Sequence, residues 1–144
     1  MEWALHRYLL HKATAKYKWK FHVEHHTSVF KTDGYDSDYE LPLWKIPFKV
    51  KEYMFVGIVG LIHLPLAFFV LPFYLGNVFV ICLYLAVHYF THKWPDLGWR
   101  WFPWHMEHHL VSAAKNFGVI TPFWDWLFGT LQTSYNQRKS KPKE

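Results

Sequence analysis

The chain is poor in charged residues and has almost no cysteine. Charged residues make up 19% of its 144 residues, below the roughly one quarter of an average protein. The single cysteine, Cys82, has no partner in the chain, which excludes a disulfide framework. Apolar residues make up 51% and aromatic residues 22%, which excludes an intrinsically disordered chain. The length is typical of one domain, and we interpret residues 1–144 as a single unit.

The longest run without formal charge covers residues 53–92. One membrane-spanning helix needs about 20 apolar residues, so this run predicts a transmembrane hairpin. Pro72 and Gly76 place the predicted turn at residues 73–76, between spans at Tyr53–Leu71 and Asn77–His92. A buried helical pair in a soluble protein is the alternative, but few soluble domains contain so long an uncharged run.

Basic residues lie on both sides of this run. Lys45, Lys49 and Lys51 precede it, Lys93 and Arg100 follow it, and the predicted turn has none. Cytoplasmic loops are rich in Lys and Arg, so both ends of the hairpin should face the cytoplasm. The amino terminus is too polar for a signal peptide. We therefore predict an integral, multi-pass membrane protein, of the endoplasmic reticulum in a eukaryote or the inner membrane in a bacterium.

The predicted fold class is all-α, with a cytoplasmic helical layer beside the hairpin. We divide the chain into first histidine clusters (1–30), the hairpin (53–92), second histidine clusters (93–130) and a basic tail (131–144). The net charge of +5 comes from residues outside the apolar run, so nucleic acid is not an expected partner. The finer expectations are a helical Met1–Phe30, a loop at Lys31–Leu43, an interfacial Leu43–Val50, a Trp-rich connection after Lys93, a helix at Trp104–Lys115, and a short helix capped by Thr121 and ending at Gly129.

The eleven histidines are clustered, and only His63 stands alone. Residues three and four apart are neighbours on a helix, so each H-x-x-H-H triad and the H-x-x-x-H pair can present its rings together. A pair five apart can converge only if its helix ends or is distorted between the two residues. The clusters are His6 and His11; His22, His25 and His26; His88 and His92; and His105, His108 and His109.

Metal binding is the chemistry that such clusters favour. Neutral imidazole is a strong ligand for iron, zinc and copper, and ten rings exceed what one ion can bind, so we expect two ions close together. The hairpin returns the chain to the side where it began, so all four clusters can meet in one layer at the membrane surface. Surface histidines or a histidine-rich transport loop are the alternatives.

The order of these clusters around two apolar spans resembles the fatty acid hydroxylase and sterol desaturase superfamily. The closing segment Asn116–Thr130 is also similar to the end of that family's domain, and His88–His92 looks most like the fatty acyl 2-hydroxylase branch. The resemblance implies a membrane oxygenase with a dimetal centre, usually di-iron, with zinc possible after purification. On matching positions it implies ten ligands: His6, His11, His22, His25, His26, His88, His92, His105, His108 and His109.

The resemblance also implies how the protein works and where this chain differs. It implies O2-dependent hydroxylation of a lipid C–H bond, with electrons from a small haem or iron–sulfur donor, because no flavin or nicotinamide site is recognisable. Members usually carry a further membrane hairpin before the first histidine pair. Only Met1–Leu5 precede His6 here, so we expect either a minimal member or a longer protein.

Two other functions remain open from sequence. The same site could perform desaturation or sterol methyl oxidation, which residue spacing does not distinguish from hydroxylation. A non-enzymatic metal-binding or transport protein is the other alternative. Transport predicts polar or ionisable residues along the spans, and besides the clustered pair His88 and His92 these offer only His63, Asn77 and a few hydroxyls.

Five residues outside the ligand set are interpreted separately. Glu24 and Glu107 could accept hydrogen bonds from ligand histidines or be solvated. Asp125 could favour a helix dipole or support a ligand, and Asn116 could order the loop after the second triad. His63 should be packed or line a channel for an acyl chain, bonded to a backbone or hydroxyl oxygen and too far from the metals to ligate them.

Overall fold

The computed structural model describes residues 2–11, 20–42, 44–45 and 51–133, and every regular element within these ranges is helical. The amino-terminal α1 (Glu2–Ala4) continues as a π-helix (Leu5–His11). A 3₁₀ turn (Ser37–Glu40) follows α2 (Lys20–Lys31). The remaining helices are α3 (Lys51–Ile62), α4 (Leu66–Phe69), α5 (Leu71–Lys93), α6 (Pro95–Trp101), α7 (Pro103–Leu110) and α8 (Phe123–Leu127).

Helices α3 and α5 form an antiparallel hairpin. The hydroxyl of Tyr53 donates a hydrogen bond to the carbonyl of Leu85 at 2.9 Å. About two helical turns further along α3, a Cβ at Gly60 would lie 3.5 Å from Cδ1 of Ile81. Tyr84 and the neighbouring residues of α5 also pack on the carboxy-terminal segment in a small buried cluster. The hairpin therefore carries the end of α5 into the layer that contains the other histidines.

The hairpin turns earlier than the sequence predicted. The expected turn at residues 73–76 is wrong, because α5 begins at Leu71 and the chain reverses before it, over residues 63–70. Pro72 lies in the first helical turn, where a missing N–H costs nothing, so it starts a helix instead of breaking one. The first span is also shorter than predicted, since α3 ends at Ile62 and a tight turn leads into α4.

Other predicted boundaries shift for similar reasons. The Trp-rich connection contains α6, with Pro95 in its first turn. Helix α7 ends at Leu110, earlier than predicted. The predicted N-cap at Thr121 is one residue too early, because α8 begins at Phe123 with Pro122 as its N-cap and no side-chain cap hydrogen bond, and the helix ends at Leu127 instead of Gly129. The hydroxyl of Thr121 accepts a hydrogen bond from the N–H of Phe123 from just outside the helix. Residues 12–19, most of 43–50 and the tail from 134 lie outside the described residues.

One helix in the described part of the chain, α5, is long and apolar enough to cross a membrane. At about 1.5 Å per residue, its 23 residues extend roughly 35 Å. Only 17% of its most apolar window is buried, and Phe68 and Phe69 beside its start are more than four-fifths exposed. A core helix of a soluble protein would be mostly buried, so this exposed apolar surface favours a hydrocarbon environment.

Candidate metal centre

The structure brings nine of the ten clustered histidines into two groups. Within each group one nitrogen per ring lies within 4.8 Å of all the others. Group 1 contains His6, His11, His22, His26 and His108, and group 2 contains His25, His88, His92 and His109. The tenth ring, His105, lies beside group 2, with its Nε2 3.1 Å from Nε2 of His92.

The π-helix explains how His6 and His11 meet. A π-helix makes its hydrogen bonds to the fifth residue along the chain, so residues five apart lie above one another. The Nε2 atoms of the two rings are 3.3 Å apart. The sequence required a distortion between these two residues, and the structure provides it.

Each triad contributes to both groups. Adjacent residues on an α-helix point about 100° apart, so a His-His pair can serve two sites at once. In α2, His26 joins group 1 and His25 joins group 2; in α7, His108 joins group 1 and His109 joins group 2. The rings of His26 and His109 stack with centroids 4.1 Å apart, so the two groups are in direct contact.

Backbone carbonyls fix the tautomers in group 1. Nδ1 of His6 donates to the carbonyl of Phe117 at 2.7 Å, and Nδ1 of His108 donates to the carbonyl of Lys115 at 2.6 Å. A carbonyl can only accept, so the hydrogen of each ring is on Nδ1 and the lone pair is on Nε2. Both lone pairs face the centre of the group.

The separations in group 1 fit a bound transition metal. Neighbouring Nε2 atoms are 3.0 to 3.3 Å apart. Imidazole nitrogens bind a metal such as zinc at about 2.0–2.1 Å, which places two ligands of one ion roughly 3 Å apart. Converging lone pairs repel each other unless a cation lies between them. The ring nitrogens of group 1 therefore have the arrangement that a bound metal ion requires.

Group 2 is oriented in the same way. Nδ1 of His92 donates to the carbonyl of Gly34 at 2.9 Å, and Nδ1 of His88 is 2.8 Å from the hydroxyl of Tyr39. Gly34 has a φ of +100°, and Met106 fills the space that its side chain would need. Because glycine has no side chain, the backbone at Gly34 can lie close to Met106. This position of the backbone allows the Gly34 carbonyl to accept the hydrogen bond from His92.

Asp36 orients His25, a role that the sequence did not indicate. Its Oδ2 accepts a hydrogen bond from Nδ1 of His25 at 2.9 Å. Burial acts to raise the pKa of Asp36, but the hydrogen bonds from His25 and the N–H of Asp38 outweigh it and lower that pKa. Nε2 of His25 is then a buried nitrogen without a hydrogen-bond partner among the described residues, as are both ring nitrogens of His109. A carboxylate behind a ligand histidine is common at metal sites.

Burial favours the neutral form of four site histidines outside α5. It lowers the pKa of each of these rings well below its usual range, and neighbouring histidines lower it further. Neutral imidazole is the form that binds metal. These four are His26, His105, His108 and His109.

The acidic residues within the triads have different environments. Glu24 is exposed and lies 3.6 Å from Lys20 on the solvent side of α2, so the solvated interpretation holds for it. Glu107 is 2% exposed and accepts a hydrogen bond from Nδ2 of Asn116 at 3.1 Å. Asn116 also bonds both backbone groups of Gln132, and so orders the loop after the second triad as expected.

Asp125 does more than favour a helix dipole. Its carboxylate is fully buried and accepts hydrogen bonds from the indole N–H of Trp3, the hydroxyl of Thr130 and the N–H groups of Phe117 and Gly118, at 2.6 to 3.0 Å. It therefore fixes the loop whose carbonyl at Phe117 holds His6, and supports that ring indirectly.

His63 lies outside both groups. It follows α3, and its Nδ1 donates to the carbonyl of Val59 at 2.7 Å, a backbone partner of the predicted kind. The ring also lines an apolar cavity that is open to the surface. This cavity lies between the amino-terminal helix, α3 and α5, and His6 of group 1 lines it as well.

The chain is similar to known proteins over most of its length. The family model described as fatty acid hydroxylase matches residues 1–130. The chain is 28% identical over 149 aligned positions to dihydroceramide fatty acyl 2-hydroxylase FAH2 of Arabidopsis thaliana, covering 91% of this chain and 55% of that protein. It is 36% identical over 73 residues to ceramide very long chain fatty acid hydroxylase SCS7 of Saccharomyces cerevisiae, covering 45% of this chain and 19% of that protein. No solved structure matches the chain.

Proposed function

Because the chain belongs to the fatty acid hydroxylase family, we propose that it is an integral membrane dimetal oxygenase that hydroxylates a fatty acyl chain. One observation carries this proposal: two groups of histidines, oriented with their lone pairs inward, adjoin an apolar cavity. A lipid chain in that cavity would approach His6, which belongs both to the cavity wall and to group 1.

The ten histidines would hold two transition-metal ions, with iron expected and zinc able to replace it, because affinity does not select iron in this series. When bound, ions of this kind would activate O2 for the hydroxylation of an aliphatic C–H bond. Side chains alone cannot perform this reaction. The chain itself orients the rings: Asp36, the hydroxyl of Tyr39 and backbone carbonyls hold the outer nitrogens.

The substrate we propose is an acyl chain of a membrane lipid. The cavity wall is almost entirely apolar, which suits a hydrocarbon chain and excludes a charged group along most of its length. The plant relative is named as an acyl 2-hydroxylase acting on dihydroceramide, so an N-acylated sphingolipid is the first substrate to test.

The reaction needs electrons that the described residues do not supply. One C–H bond and one O2 yield one alcohol and one water when two electrons and two protons are added. We propose a small haem or iron–sulfur protein as the donor. Lys93 and Arg100 lie beside the metal layer, and an acidic donor would be attracted to such basic groups.

The topology that we propose places the metal layer on the cytoplasmic side, with the hairpin crossing the membrane. In a Cys82→Ser background, thiol labelling at Asp33→Cys and Ala114→Cys should report the cytoplasmic side, and Val70→Cys should not. Labelling of Asp33→Cys and Ala114→Cys from opposite sides would contradict this topology, because the two groups could not then assemble.

Lipid analysis of cells with and without the full protein tests the function. We expect sphingolipid acyl chains to gain the mass of one oxygen, located at carbon 2 by fragmentation, only when the protein is present. His108→Ala is the matched control and should give no such gain. A loss of two hydrogens would instead indicate desaturation, and unchanged lipids around a metal-loaded protein would favour a metal-binding role.

A further inference from the structure

The cavity next to group 1 has a defined direction. One face of α3 lines it at Val56, Val59 and Gly60, and His63, just after the helix, continues the same spacing of three and four residues. The facing residues of α5 run from Tyr84 back to Tyr74. Tyr84 stacks on His88 of group 2 with ring centroids 5.8 Å apart, so this end of the cavity is next to the metal layer. Tyr74 is ten residues away, or about 15 Å along the helix.

The far end is lined by three residues with polar side chains, His63, Tyr74 and Asn77. Two of them turn their polar atoms back onto their own helices. Nδ1 of His63 donates to the carbonyl of Val59 at 2.7 Å, and Nδ2 of Asn77 donates to the carbonyl of Phe73 at 3.0 Å. The surface presented to the cavity therefore stays almost entirely apolar. The rings of His63 and Tyr74 act on the cavity through their size.

We propose that the rings of His63 and Tyr74 form the floor of the acyl-chain cavity and set the longest chain that the protein hydroxylates. This inference rests on the proposed function, because it takes the cavity occupant to be the acyl chain of the substrate. A chain that enters with its reacting carbon at the metal layer extends toward these rings. Extra methylene groups beyond the floor must displace one of these half-buried rings, which costs free energy as overpacking does.

Gly60 gives an independent way to change the length of the same cavity. It lies one helical turn closer to the metal layer than His63, and an added Cβ would meet only Ile81 Cδ1, at an ordinary 3.5 Å. A leucine at this position would project into the cavity above the proposed floor. Leucine is also a better helix former than glycine, so this replacement should leave α3 intact.

The experiment compares the chain-length profile of hydroxylated products among variants of the full protein in cells supplied with a mixture of acyl chains. His63→Ala should raise the ratio of long to short hydroxylated chains several-fold, and Gly60→Leu should lower it several-fold. His63→Leu keeps much of the ring's volume without its polar atoms and should retain the wild-type profile. Ile62→Ala is the matched control, because Ile62 is 69% exposed and outside the cavity wall.

The outcomes separate this inference from the proposed function. If the wild-type protein hydroxylates acyl chains but neither His63→Ala nor Gly60→Leu shifts the profile, the inference is wrong and the proposed function stands. If His63→Ala lowers metal content as His108→Ala does, His63 acts on the metal site and the inference is also wrong. If the wild-type protein hydroxylates no acyl chain of any length, the proposed function itself fails.

Discussion

Replacement of His108 by alanine should remove the metal of group 1 and reduce hydroxylase activity by more than about 100-fold. Loss of a residue behind a ligand typically costs 10–100-fold in metal affinity or activity, and loss of a ligand itself should exceed that. His108 is fully buried, and its Nε2 is 3.0 Å from Nε2 of His11. The measurement is metal content per folded protein, together with the yield of hydroxylated lipid.

His109→Ala is the counterpart of His108→Ala in group 2. It should lower the metal content by a similar amount and abolish the same activity, because the oxygenase that we propose uses both ions. His63→Ala, outside both groups, should keep the full metal content. If His63→Ala loses metal while His108→Ala keeps it, the assignment of ligands is wrong.

Replacement of Asp125 by alanine should lower the free energy of unfolding by roughly 3–5 kcal/mol, the range for breaking a buried charged network. The carboxylate is fully buried and accepts hydrogen bonds from four donors. Without it, the indole of Trp3 and the N–H groups of Phe117 and Gly118 would lose these partners. Thermal unfolding of the purified protein in detergent measures the effect.

Asp96→Ala is the matched control for Asp125→Ala. Asp96 is also the acidic residue in the first turn of a short helix, but it is exposed. An effect through the helix dipole alone would amount to about 0.3–1 kcal/mol. If the two variants lose the same small amount of stability, Asp125 acts through the dipole, and the network that we describe does not contribute.

Local spacing and order were sufficient to predict the helical class and the family, because both depend on neighbours along the chain. Triads with spacings of three and four can meet on an α-helix whatever surrounds them. The order of the clusters resembled the fatty acid hydroxylase family, and the match over residues 1–130 confirms that family. The separate pair His6 and His11 also pointed to a distorted helix, which the π-helix provides.

Features that depend on contacts between distant segments could not be predicted. Asp36 reaches His25 only because the loop after α2 folds back onto α5. There the N–H of Asp36 donates a hydrogen bond to the carbonyl of His92. The turn of the hairpin was misplaced because Pro72 can either break a helix or begin one, and only packing decides between them. The division of each triad between two groups follows from where α2 and α7 lie relative to each other.

Metal analysis of the purified full-length protein tests the central claim most directly. With iron or zinc available during expression, we expect about two equivalents of transition metal per chain, because the chain presents two groups of inward-facing imidazole nitrogens. A reproducible value near zero in folded protein would contradict the dimetal site. A value near one that His108→Ala abolishes and His109→Ala leaves intact would show that only group 1 binds metal.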